Sequence, residues 1–258
     1  MKYYKIGFVG AGNLAWHLAQ DLEKAGHFIP VIFSQNEDDA QVLAAQLYDT
    51  KVAESLDFSD FDLDLLILAV SDDAISLVAE NLVVQEETVV IHTSGAKSIE
   101  VLSCLREDYG VIYPLQTFTK EKAINLTDVP FCIEAYNSRT HDLIFDVAKS
   151  ISHKVVVMAS EQRKVLHLSA VFANNFANHM LLWAKTLLDV EGIDFQLLKP
   201  LARETIEKAF ILSPEEAQTG PAHRGDYKTM KDHLALIEAN PEHSSLYQLL
   251  SKSIQFNS

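Results

Sequence analysis

The stretch Tyr4-Lys5-Ile6-Gly7-Phe8-Val9-Gly10-Ala11-Gly12-Asn13-Leu14-Ala15 carries a short apolar run directly into a Gly-x-Gly-x-x-Ala turn. Leu14, Leu18 and Leu22 then recur at spacing four, and the pattern stops at Gly26, a residue able to take the left-handed conformation that ends helices. A strand that turns through small residues into a helix leaves unpaired backbone N–H groups at the positive end of the helix dipole. Gly10 suits the tight turn, Gly12 leaves the backbone open to a diphosphate, and Ala15 lets helix and strand approach closely. With Ala11, Asn13 and Leu14, these residues are candidates to hold the diphosphate of a nicotinamide dinucleotide.

Outward from this turn, β-rich runs alternate with helical patterns as far as about residue 157. Eight strands are expected: Tyr4 to Val9, Phe28 to Ser34, a short one near Lys51, Leu65 to Val70, Thr88 to His92, Val111 to Tyr113, Phe131 to Glu134 and Lys154 to Met158. That order predicts an α/β fold: a Rossmann-like, mostly parallel sheet with helices on both faces. After Ser160 the β-rich runs stop, and helices are expected at about 160–190, 194–212, 227–239 and 242–255. Residues 1–158 are therefore assigned to a dinucleotide-binding domain and 159–258 to an all-helical substrate and dimerisation domain. Pro214, Gly220, Pro221 and Gly225 mark Ser213 to Gly225 as a structured loop.

Composition narrows the function classes. With 21 Lys and Arg against 36 Asp and Glu, the formal charge of −15 disfavours nucleic-acid partners and acidic membranes. Two cysteines without a Cys-x-x-Cys pair, and no His cluster at ligand spacing, indicate a reduced, metal-free protein. The N-terminal residues lead into the first strand without a signal-peptide core, and no apolar run approaches the ~18 residues of a spanning helix, so a cytoplasmic location is expected.

In open α/β sheets ligands sit beyond the carboxyl ends of the strands. The residue about 20 positions past the glycine turn, which would be acidic to bind the ribose of NAD, is Ser34, and this favours NADP over NAD; Gln35 stands where an Arg often clamps a 2′-phosphate. Glu37, Asp38 and Asp39 follow, suited to a first helical turn with Asn36 as its cap. Val70 and Ser71 offer a short-side-chain backbone for the nicotinamide ribose, and Asp72 or Asp73 would cap the next helix. In His92-Thr93-Ser94-Gly95, either a proton donor and hydroxyl contacts or a simple turn would account for the residues; Ser94 is the candidate for contact.

Between Val165 and Trp183 the helical pattern is apolar almost all round, which predicts burial between domains or in a subunit interface. Lys164, His167, Val171, Asn174 and Asn178 recur at spacings of three and four, placing four polar groups on one stripe that either faces the cofactor cleft or bonds across an interface. Lys164 or His167 could accompany hydride transfer with a proton while Asn174 orients the substrate. In Thr219-Gly220-Pro221-Ala222-His223-Arg224-Gly225-Asp226, Arg224 can grip a carboxylate or brace the loop against Asp226, itself the expected cap of the next helix.

The glycine turn, Leu68-Ala69-Val70-Ser71-Asp72-Asp73, His92-Thr93-Ser94-Gly95-Ala96, Tyr113-Pro114-Leu115-Gln116-Thr117-Phe118, the His167 to Asn175 segment and the Thr219 to Asp226 loop together resemble a bacterial family with a Rossmann-like domain and a C-terminal domain of unknown function. That family is similar to pyrroline-5-carboxylate reductases and β-hydroxyacid dehydrogenases. The resemblance implies an NADP-dependent oxidoreductase that pairs two subunits through its helical domain. In the related dehydrogenases a catalytic Lys and Asn lie four residues apart on the interdomain helix, whereas Lys164 and Asn174 are ten apart. The expected activity is hydride transfer between NADP and a small, anionic carbonyl or imine compound, with Arg224 anchoring the anion and His167 assisting the proton. A non-catalytic nucleotide or metabolite sensor is the alternative.

Overall fold

The computed structural model describes residues 2–256. Eight strands form one sheet: β1 (Ile6–Val9), β2 (Val31–Phe33), β3 (Lys51–Val52), β4 (Leu65–Leu68), β5 (Val89–His92), β6 (Tyr109–Pro114), β7 (Phe131–Ala135) and β8 (Val155–Val157). Their spatial order is β3-β2-β1-β4-β5-β6-β7-β8, parallel throughout except where β7 runs antiparallel to β6. The mostly parallel sheet and the number of strands agree with the sequence pattern.

The central strands β1, β4 and β5 are buried along their whole length because both faces of the sheet are covered there. Phe8, Leu65, Ile67 and Ile91 point to the layer of α1 (Asn13–Lys24), α2 (Glu37–Ala44) and α4 (Ser138–Ile151). Their neighbours Val9, Leu66, Leu68 and Val90 point to the opposite core, beneath α3 (Ile75–Asn81). Crossovers from β1 therefore leave to opposite faces on its two sides, which opens a crevice above β1 and β4.

By compactness the chain divides into a unit ending at Ala173 and a unit beginning at Asn174. The first therefore takes in α5 (Ser160–Ala170) as well as the sheet. The long helix expected over 160–190 is interrupted by a π-helical segment, Val171–Phe176, before α6 (Ala177–Val190). From α6 onward the described residues contain α7 (Lys199–Leu212), α8 (Pro214–Ala217), α9 (Tyr227–Leu236) and α10 (Pro241–Phe256), and no strand. α8 corrects the expectation of a continuous loop: Pro214 does not end helical structure but occupies the first helical turn, where its missing N–H costs nothing. Among the described residues no helix is long and apolar enough to cross a membrane.

Candidate functional site

A cavity of about 290 Å³ opens at the crevice, lined by Val9 to Gly12 after β1, Phe33 to Gln35 after β2, and Ala69 to Ser71 after β4, with Ala74 and Val78 behind them. Seven of the residues singled out in the sequence meet here: Gly10, Ala11, Gly12, Ser34, Gln35, Val70 and Ser71. Asn13 and Leu14 open α1 directly behind Gly12.

The two glycines of the turn are needed for different reasons. Gly10 has a φ of +107°, and a Cβ there would stand 2.3 Å from the Ala69 carbonyl oxygen, so the fold itself demands glycine. Gly12 has an ordinary φ of −74°, and a Cβ there would meet nothing within 4 Å. Among the described residues nothing excludes a side chain at Gly12; what its absence preserves is open space over the start of α1.

Two expected caps are corrected around this cavity. Asn36 stands at the cap position of α2, but its amide donates to Asp39 Oδ2 at 2.8 Å and does not cap the helix. After β4, Ser71 takes the cap position of a short 3₁₀ turn without a side-chain bond, while Asp72 and Asp73 lie within that turn.

Beyond β5, Ser94 is buried, and its Oγ accepts the backbone N–H groups of Ala96 at 3.1 Å and Lys97 at 3.0 Å. His92 is locked: Nδ1 accepts from the Ser94 backbone at 3.1 Å, which leaves Nε2 to donate to the Ser98 carbonyl at 3.2 Å. Burial, with the nearby Arg163 charge, lowers its pKa to about 4. His92 is thus a neutral structural imidazole near pH 7 and does not supply the proton donor considered from the sequence.

His167 has a different setting. Its Nδ1 lies 3.1 Å from Tyr113 Oη, with the rings edge to face. Both press on Gly95, where a Cβ would fall 2.6 Å from Tyr113 Cζ and 2.7 Å from His167 Nδ1. Glycine at position 95 is thus explained by close approach. Burial raises the Tyr113 pKa above its usual value, so the phenol keeps its proton at neutral pH.

Lys164 pairs with Glu161 at 2.7 Å, Asn174 falls within the π-helical segment and Asn178 in the first turn of α6, both exposed. The buried charge on α5 is instead Arg163, which the sequence pattern did not single out. It pairs with Glu134 and donates to the Lys97 carbonyl at 2.7 Å and Ser160 Oγ at 3.1 Å. In the second unit Arg224 is exposed, between Gly220 and Gly225 with positive φ, and Asp226 caps α9 by accepting from the Thr229 N–H at 3.1 Å.

The chain matches the Rossmann-like domain over residues 2–117 and a domain of unknown function, DUF2520, over residues 129–254. A crystal structure of a candidate NADP oxidoreductase from Bacteroides fragilis is 35% identical, with a TM-score of 0.91 and coverage of 98% of each chain. The chain belongs to this Rossmann–DUF2520 family. The DUF2520 match begins before β7, so it takes in the far edge of the sheet as well as the helices.

More distant structures share the fold of this Rossmann–DUF2520 protein. A reductive aminase from Aspergillus terreus, in complex with NADPH and ethyl-5-oxohexanoate, is 13% identical with a TM-score of 0.72, covering 98% of this chain and 95% of its own. An imine reductase from Myxococcus stipitatus in complex with NADP+ is 14% identical with a TM-score of 0.71, covering 97% and 93%. No curated protein sequence matches the chain.

Proposed function

We propose that the protein is an NADP-dependent oxidoreductase that transfers hydride to or from a small anionic carbonyl or imine compound. The observation that carries the proposal is the open space at Gly12, within a cavity bounded by three strand ends at the sheet's switch point. The donor set fits a dinucleotide: backbone N–H groups from Gly12 to Leu14 for the diphosphate, Ser34 and Gln35 for the adenosine ribose, and Val70, Ser71 and Ser94 toward the nicotinamide ribose. Ser34 in place of an acid supports NADP, as does the Bacteroides fragilis relative described as an NADP oxidoreductase.

When bound, the cofactor supplies or accepts the hydride. The protein's own part is to manage the proton that charge balance then requires. Tyr113, kept protonated by burial, donates to the oxygen or nitrogen that gains negative charge, and His167 at 3.1 Å returns a proton to the phenol. Arg224 offers an exposed guanidinium able to hold a carboxylate on two N–H groups. Lys164 and Asn174 have lesser parts in the proposal, since one is tied to Glu161 and the other lies within the π segment.

A homodimer formed through the helical unit accords with the apolar side chains exposed in the single chain, among them Leu201, Ile206, Phe210 and Ile211. Sedimentation would register it as twice the chain mass.

The test is NADPH consumption with a panel of small keto acids and cyclic imines. Turnover that falls ~100-fold or more in His167→Ala supports the enzyme reading. NADPH binding without turnover of any compound would favour the sensor.

A further inference from the structure

The loops that line the cavity contain no cation. Lys24 at the far end of α1 is the sole Lys or Arg between Lys5 and Lys51, and none occurs between Lys51 and Lys97. In a chain of formal charge −15, the 2′-phosphate that separates NADP from NAD would then face Gln35, Glu37, Asp38 and Asp39 with no counter-charge from its own loop.

A cation arrives from elsewhere. Lys120, in the segment after β6, places Nζ 3.0 Å from Asp39 Oδ1 and 5.6 Å from the centroid of the Trp16 ring. Asp39 lies in the first turn of α2 and its other oxygen accepts from Asn36, one residue past cavity-lining Gln35. Trp16 lies in the first turn of α1, and its N–H bonds the carbonyl of cavity-lining Gly12 at 2.9 Å. The ammonium therefore stands over the first turns of the two helices whose starts border the cavity. The segment is held there from α1: His17 Nε2 donates to the Thr119 carbonyl at 2.8 Å, and its ring packs on Phe118 at 5.6 Å.

We infer that Lys120 is the residue that reads the 2′-phosphate of NADP, exchanging Asp39 for the phosphate when the cofactor binds. The inference rests on the proposed function and adds its cofactor-selecting group. It also gives a reason for the otherwise unfavourable acid beside a phosphate site: Asp39 holds the long side chain in place, with the Trp16 face supporting it. In the sequence nothing joins Lys120 to this site, because 81 residues separate it from Asp39.

The experiment is direct titration of wild type, Lys120→Gln, Lys120→Arg and Asp39→Asn with NADPH and with NADH, at low and high salt, read by nucleotide fluorescence or calorimetry. Expected for wild type is a preference for NADPH that weakens with salt. Lys120→Gln loses ~10-fold or more in NADPH affinity and little in NADH affinity. Lys120→Arg restores NADPH, and Asp39→Asn strengthens it. Equal losses for both nucleotides, or an unchanged ratio in Lys120→Gln, overturns the assignment while leaving nucleotide binding intact. Failure of wild type to bind either nucleotide overturns the proposed function and this inference with it. Unaltered melting of the variants without nucleotide separates these outcomes from misfolding.

Discussion

Tyr113 Oη lies 3.1 Å from His167 Nδ1, joining β6 to α5 across 54 residues of chain. The pair sits against Gly95, just beyond β5, and lies in the same unit as the cavity above β1 and β4. Tyr113→Phe removes the proton but keeps the ring, and His167→Ala removes the relay. Each is expected to lower kcat by roughly 10²–10⁴ while leaving the NADPH dissociation constant within about twofold of wild type. Stopped-flow turnover beside a binding titration checks this, and a loss confined to affinity would assign the pair a binding role instead.

The glycine turn separates fold from ligand. Gly12→Val, in open space at an ordinary φ, should leave the melting temperature without nucleotide nearly unchanged and abolish the rise produced by NADPH. Gly10→Ala should fail earlier, with ~2 kcal/mol or more lost in the free protein, because its Cβ meets the Ala69 carbonyl and its φ is left-handed. Denaturant unfolding of both, with and without nucleotide, distinguishes the two.

Arg163 and Glu134 form an ion pair in which the arginine side chain is fully buried and the carboxylate partly buried. Removing one partner strands the other: Arg163→Met or Glu134→Gln is expected to cost about 3–5 kcal/mol of stability. Replacing both together should cost less than the two single losses combined, and a double-mutant cycle in urea measures the difference.

Stability should also fall in mild acid. The folded-state pKa of His92, about 4, lies below its ordinary 6.5, so between these values the unfolded chain binds the proton that the folded one refuses. The folded state is fully favoured above pH 6.5 and loses up to about 3 kcal/mol as the pH falls to 4. Burial lowers the His27 pKa as well, and its contribution has the same sign. Urea midpoints across this range should have a shallower slope in His92→Asn, whatever its absolute stability.

Much of the architecture was legible because local pattern and tertiary setting agree. All eight strands were foreseen, and the central ones, β1, β4 and β5, most plainly, since strands buried on both faces must be continuously apolar. The glycine turn, Ser34, Gln35, Val70 and Ser71 could be grouped from the sequence because all of them follow strand ends, and one cavity joins them.

What escaped depends on contacts distant in sequence. Arg163 has the look of a solvated helix residue until Glu134, 29 positions earlier, is folded against it. Tyr113 reads as a strand residue until α5 brings His167 to it. The π segment Val171–Phe176 carries no Gly or Pro to announce it, so the apolar pattern passed for one regular helix.

The central claim is that the cavity above β1 and β4 holds NADP, and thermal-shift titration with NADPH, NADP+, NADH and NAD+ tests it most directly. A saturable rise in melting temperature, larger for the phosphorylated nucleotides and absent in Gly12→Val, is the expected result. No shift with any of the four would contradict the account and leave the glycine turn as a structural connection alone.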